Sequence, residues 1–249
     1  MYDGDRDAVL ANMREAEIGG LVVGVDRASS EKAILLAESN DELWATVGLH
    51  PNDTPEEVFD ADAFLNLAHH PKVVAIGECG LDNFRPEDPS AEKSRQEEVF
   101  QKHIELAIAT GKPLMIHARP TKGSMDAYER ALDMLEGAKK EHPELRGDFH
   151  FFVGDVATAK RIVDLDFTIS YTAVLTFTSD YDEVVRFAPL SHLISETDSP
   201  YVAPVSRRGT RNDPRATLDV VEVIARIRAE DETSVREALL DNAKRLFKL

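Results

Sequence analysis

Short apolar runs rich in β-branched residues alternate along this chain with longer segments in which apolar residues recur every three or four positions. The first pattern marks buried strands and the second marks amphipathic helices. The runs fall at 21–25, 43–49, 73–77, 113–117, 148–152, 167–171 and 192–198. Helices are predicted at about 5–17, at 33–39 behind a Ser29-Ser30-Glu31 cap, and over 54–69 as a helix or helix pair. More follow at 90–109 with Gly111 as the stop, in a segment ending near 141, and at 156–165, 179–187, 215–229 and 233–246. A loop rich in Pro, Asp and Arg is expected at 83–89.

Strands that are apolar on both faces and regularly separated by helices indicate a parallel sheet with right-handed crossovers. With neither a repeat nor an interdomain linker in the pattern, residues 1–249 are expected to form one domain, an α/β TIM-like (β/α) barrel. A closed barrel of this kind needs eight strands and begins with one. This chain opens with a helix and offers about seven strands, so the first strand is expected to be missing from it.

Chemistry-bearing residues fall at the C-terminal ends of these runs, where barrels of this class place their sites. Val73-Val74-Ala75-Ile76-Gly77 is expected to stop at Glu78, and His117, His150 and Asp198 end three other runs. Two imidazoles and two carboxylates converging on one face make a divalent-metal site, in which a carboxylate can bridge two ions ~3.5–4 Å apart. Any one of these histidines alone is more often a hydrogen-bonded structural residue; the four chemistry-bearing residues in the same place in their units argue together. His50 ends its run beside the proposed site and is expected to face substrate or to support a ligand, the alternative being a structural turn residue. Arg119 could contact a phosphate or pair with a neighbouring acid. The most basic stretch, Ser206-Arg207-Arg208-Gly209-Thr210-Arg211-Asn212, is expected to form a phosphate-facing rim, the alternative being solvated loop charge. Cys79 is expected to pack inward, and His69, His70, His103, His142 and His192 to be surface or structural residues.

Six ordered motifs carry a resemblance that spans essentially the whole chain. Gly77-Glu78-Cys79-Gly80-Leu81-Asp82, Ile116-His117-Ala118-Arg119 and Glu196-Thr197-Asp198-Ser199-Pro200-Tyr201 resemble signatures of the TatD-type metal-dependent deoxyribonucleases. Gly48-Leu49-His50-Pro51, Phe149-His150-Phe151 and Arg211-Asn212-Asp213-Pro214 match in the same order. The resemblance implies a barrel of the amidohydrolase type and hydrolysis of phosphodiester bonds in DNA, often from the 3′ end. It implies one or two divalent ions per chain (Mg, Mn or Zn). It also makes Glu78 the ligand that can bridge two ions, with His117 and His150 completing one metal position. Asp198 would bind the other ion or deprotonate the attacking water. The family usually opens with a strand ending in Asp-x-His-x-His, a motif this chain lacks; Tyr2-Asp3-Gly4-Asp5 aligns just downstream of it. The family's usual Arg-Asp after the strand-end histidine is Arg119-Pro120 here.

Composition then narrows the function classes. A formal net charge of −17 counts against a protein that coats nucleic acid broadly, though not against an enzyme with a local basic rim and bound cations. No apolar run reaches the ~18 residues of a membrane span, no leader pattern opens the chain, and the single cysteine fits a reducing cytoplasm. No obligatory protein partner is indicated, and DNA is the expected substrate. Two competitors remain: an amidohydrolase-type enzyme cleaving C–N or ester bonds, and a metal-binding barrel that has lost catalysis.

Overall fold

A computed structural model describes residues 2–53, 56–84 and 89–249, without the side chains of 89–91. The beginning of the helix expected from 54 and most of the loop expected at 83–89 lie outside the described residues. Seven strands are present among those described: β1 (Gly20–Val22), β2 (Leu43–Val47), β3 (Val73–Asp82), β4 (Leu114–Arg119), β5 (Gly147–Phe149), β6 (Thr168–Tyr171) and β7 (Leu193–Ser195). They pair in sequence order, all parallel, in one sheet that curls into a half-barrel. The helices between and after them are α1 (Arg6–Glu15), α2 (Arg27–Glu38), α3 (Ala61–Ala68), α4 (Pro89–Thr110), α5 (Asp126–Glu141), α6 (Val156–Asp164), α7 (Asp182–Phe187), α8 (Thr217–Arg228) and α9 (Glu232–Phe247).

Several boundaries move for local reasons. Helix α2 starts early because Asp26, not Ser29, is its N-cap: its carboxylate accepts from Ser29 N, and Ser29 Oγ answers the backbone N–H of Asp26. Helix α3 starts late, at the cap Asp60, so residues 56–60 are not helical. Strand β3 does not stop at Glu78 but runs on to Asp82, with a register shift against β4 between Ile76 and Cys79. Two glycines make this possible. A Cβ on Gly77 (φ +148°) would lie 2.5 Å from Met115 O, and one on Gly80 (φ +137°) 2.1 Å from His117 O. Only glycine lets β3 lie this close to β4 on either side of Glu78. Strands β5 and β7 are shorter than their apolar runs, so His150, Glu196 and Asp198 project from the turns just beyond them.

Alternation divides the sheet's two faces, reset in β3 by an extra residue at Val74 and by the shift between Ile76 and Cys79. Val47, Ile76, Cys79, Ile116, Phe149, Ile169 and Leu193 face the helices and join one large buried cluster. On the inner face Val74 and Ile194 meet Leu246 and Phe247 from the end of α9, with Leu21 and Trp44 against them. This second cluster closes the N-terminal end of the half-barrel and joins residues from both edge strands. Fully burying each such side chain contributes roughly 1.5–3 kcal/mol. Above the plug the inner face becomes polar at Asp148, Thr168 and Ser170, and beyond that layer comes the site. No described helix is long and apolar enough to cross a membrane.

Candidate metal centre

Glu78 lies at the middle of the C-terminal face. Its Oε1 is 3.0 Å from His117 Nδ1, 3.2 Å from His150 Nε2 and 3.5 Å from His50 Nε2. One carboxylate oxygen is thus within reach of three imidazoles carried on different strand ends, and all four side chains are largely buried. Single ligand atoms from His50, Glu78 and His117 all fall within 4.8 Å of one another. His50 stands closer to the centre than the sequence expectation placed it. Its Nδ1 accepts from Asn52 N at 3.2 Å, which leaves Nε2 facing Glu78. The strand end that carries it is fixed by His103, a buried structural residue whose Nε2 accepts from Leu49 N at 2.9 Å while Nδ1 bonds Val99 O at 2.8 Å.

Two further carboxylates stand behind the histidines. Asp82 Oδ2 is 3.2 Å from His117 Nε2, and Glu196 Oε2 is 2.9 Å from His150 Nδ1. Asp82, Glu196 and the deeper Asp148 carry no assigned role in the sequence reading. Period-two alternation was the available signal, since Asp148 precedes His150 by two and Glu196 precedes Asp198 by two. Asp148 Oδ1 accepts from Thr168 Oγ1 and its Oδ2 lies 2.6 Å from Ser170 Oγ, which is also 2.6 Å from Glu196 Oε1.

The electrostatics follow from this crowding. Burial works to raise the Glu78 carboxyl, but His150 and His117 outweigh it and hold Glu78 well below the carboxylate range. Burial works to lower His150 and His117. Glu196 and Glu78 overcome it at His150, and Asp82 and Glu78 at His117, so both imidazoles are raised, His150 strongly. Burial pushes Asp148 up to about 6 and Asp198 up to about 7. Asp198 has φ +50°, in the left-handed region that few non-glycine residues occupy, with Tyr201 N bonded to its carbonyl. It experiences the charges of His150, Glu196, Glu78 and His117, and so belongs to the same field.

The residues expected to meet substrate are placed differently. Arg119 stacks on Phe84, its guanidinium carbon 4.2 Å from the ring centre. Arg208 stacks on Phe177 at 3.9 Å. Arg207 pairs with Asp219 at 2.8 Å and with Asp213 at 3.5 Å, while Arg211 pairs with Asp5 and lies over Tyr2. Asn212 is a correction. It is 1% exposed, and its amide donates to the carbonyls of Thr197, Tyr201 and Val202, so it ties the loop together and does not face substrate. Cys79 is buried with its Sγ 3.5 Å from Met115 O, in the packing role expected of it.

A family model for TatD-related DNases matches residues 1–248. The chain belongs to the TatD family. Its relatives include the uncharacterized metal-dependent hydrolase YabD of Bacillus subtilis, 33% identical over 254 residues that cover 100% of this chain and 94% of that protein. The uncharacterized metal-dependent hydrolase YcfH of Escherichia coli K12 is 33% identical over 85% of this chain and 76% of its own length. Among solved structures, the TatD homologue YJJV of Escherichia coli K12 superposes with a TM-score of 0.87 at 27% identity, covering 100% of this chain and 93% of that one. This TatD-family chain is a metal-dependent hydrolase with a TIM-like α/β fold.

The donor set fits a divalent cation. Imidazole nitrogens with carboxylate oxygens are the mixed ligands that Zn²⁺ and Mn²⁺ accept. Five carboxyls within the centre (Glu78, Asp82, Asp148, Glu196 and Asp198) and the more exposed Asp53, 3.3 Å from His50 Nδ1, crowd three imidazoles, an excess of acid that a bound cation would balance.

Proposed function

We propose that this protein hydrolyses phosphodiester bonds in DNA with a divalent metal ion (Mg, Mn or Zn). The observation that carries this reading is the single Glu78 oxygen within 3.5 Å of three imidazoles, with the Asp198 carboxyl raised beside it. Glu78, His117 and His150 would hold the ion, with His50 on its open side; a second ion would rest on Asp198 together with Glu78. A bound divalent ion supplies an acidified water and charge stabilisation at a phosphoryl oxygen. Asp198, whose carboxyl burial pushes up to about 7 in the metal-free centre, would serve as general base for the attacking water. Arg207, Arg208, Arg119 and Arg211 would supply the phosphate contacts, since guanidinium groups suit phosphate oxygens. Attack from the 3′ end follows from the family resemblance alone, and a reducing cytoplasm is the setting that the lone Cys79 fits.

The test is direct. Purified protein incubated with labelled single- and double-stranded DNA should degrade it with Mg²⁺ or Mn²⁺ and stop on addition of chelator. No cleavage with any divalent ion sinks the DNA reading. Cleavage instead of an amide or carboxylic ester panel would move the chemistry to another substrate class on the same centre.

A further inference from the structure

The centre is an alternating chain of acids and imidazoles: Asp82, His117, Glu78, His150, Glu196. Each of the two outer histidines therefore has one ring nitrogen toward Glu78 and the other on an outer carboxylate. Both outer carboxylates are themselves anchored. Asp82 has no exposed side-chain surface, and its Oδ1 accepts from Phe84 N at 2.9 Å. Gln96 on α4 clamps its backbone, accepting from Asp82 N at 2.8 Å and donating to Asp82 O at 3.1 Å. Glu196 is held by Phe151 N and by Ser170 Oγ, which leans in turn on Asp148. Burying a carboxylate is unfavourable by several kcal/mol unless it is fully partnered. Two such acids, each with a histidine as its charged partner, are more than packing requires.

We infer that Asp82 and Glu196 are positioning residues that fix the rings of His117 and His150, each holding the far ring nitrogen so that the near one faces Glu78. They act through the histidines and touch neither ion nor substrate. The inference rests on the metal-centre part of the reading above and is independent of which bond is cleaved. A carboxylate behind a ligating histidine sets its orientation and raises its basicity, and losing one typically weakens metal binding ~10–100-fold. Because the anchors differ, the two acids are separable. Both accept from a backbone N–H, but Gln96 of α4 clamps the backbone of Asp82, whereas Glu196 takes its second contact from the hydroxyl of Ser170.

The test titrates Mn²⁺ by calorimetry into wild type, Asp82→Ala, Glu196→Ala and the conservative pair Asp82→Asn and Glu196→Gln. The alanine variants should bind ~10–100-fold more weakly. The amide variants, whose carbonyl oxygen still accepts from the ring, should recover most of that loss. Ser170→Ala should weaken binding less than Glu196→Ala and leave the His117 side untouched. In the Zn²⁺-loaded wild type, nitrogen-15 spectra should show the far nitrogens of His117 and His150 protonated. Unchanged Mn²⁺ affinity in a folded alanine variant overturns the assignment, as does a wild-type spectrum with unprotonated far nitrogens, which requires no variant to fold. A wild type that binds Mn²⁺ with these properties but leaves DNA intact would sink the nuclease reading and leave the positioning role standing.

Discussion

The strand-end centre and the loop that follows β7 are both crowded with charge, but they use it in opposite ways. In the loop and its surroundings the opposing charges are already matched: Arg207 with Asp219, Arg211 with Asp5, Arg215 with Asp213, and Arg208 on the Phe177 ring. In the centre six carboxyls, counting the more exposed Asp53 beside His50, surround three imidazoles, and a single oxygen of Glu78 faces all three. Paired charge holds a shape; a buried excess of one sign calls for a ligand of the other. On the proposed reading the centre is the chemical site and the loop its frame, with phosphate contacts available only where a weak surface pair can be given up. Such pairs contribute ~0–1 kcal/mol each, so a polyanion can displace them.

The largest expected effect comes from breaking the centre at its hub. Glu78→Ala should reduce Mn²⁺ binding and metal-dependent hydrolysis to background. In the wild type, Mn²⁺ at 100 times its dissociation constant should add about 2.7 kcal/mol of stability. A calorimetric titration together with a thermal melt checks both. A variant that retains its metal would show that the centre lies elsewhere.

The frame should fail differently. Asn212→Ala leaves three carbonyls without their shared donor and opens a gap in a buried position. The loss should be roughly 1–3 kcal/mol in urea unfolding, with metal affinity changed far less than in Glu78→Ala. If metal binding falls as steeply, the loop and the centre are one unit and the contrast between them fails.

How much of this contrast was legible in the chain follows from what each pattern encodes. The seven apolar runs and the helices between them gave the parallel α/β architecture, because burial on both faces of a strand leaves a mark in residue type. Glu78, His117 and His150 stood out for the same reason: polar residues at the ends of apolar runs. Asp82 did not, because β3 continues through the site, with glycines on either side of Glu78 and no turn after it. Ser170 and Asp148 looked like strand residues among others, and only the sheet's curl makes their shared face the inside of a half-barrel. The arginine loop was misleading in part. Asn212 reads as a polar loop residue in sequence, yet backbone carbonyls 10 to 15 positions away bury it.

A subtler difference within the centre appears in its pH dependence. Asp148 is 3% exposed, and burial pushes it up to about 6 from the ordinary 3.8. A carboxyl with a raised folded-state pKa binds more protons folded than unfolded. Its contribution is therefore fully present below about 3.8 and is lost as the pH rises through about 6. Asp148→Asn removes that titration. Relative to wild type in chelator, the variant should gain on the order of 1–3 kcal/mol between pH 4 and pH 8. Urea midpoints at pH 4, 6 and 8 measure it, and a constant difference between the two proteins would show that Asp148 stays ionised throughout. His103, buried and lowered to about 4, has the opposite sign. Its neutral ring supports the fold above pH 6.5, and that support is lost as the pH falls toward 4.

The smallest expected effect lies at the rim. Arg207→Ala with Arg208→Ala should cost at most ~1 kcal/mol of stability, since one side chain is in exposed pairs and the other on a half-exposed ring. Its consequence should be in DNA binding measured with Ca²⁺ in place of the catalytic ion. Each lost phosphate contact removes ~0.7–0.9 from the slope of log affinity against log salt, so two lost contacts should lower the slope by about 1.5. Acids complicate the reading, because Asp213 and Asp219 lose Arg207 as a partner and then repel the backbone themselves. Arg208→Ala alone is free of that effect, since its partner is Phe177. A double variant that loses affinity with an unchanged slope, beside an Arg208→Ala variant that binds normally, would mean that the arginines only neutralise their own acids. The loop would then be frame alone, and recognition of the phosphate would fall to Arg119 and the centre.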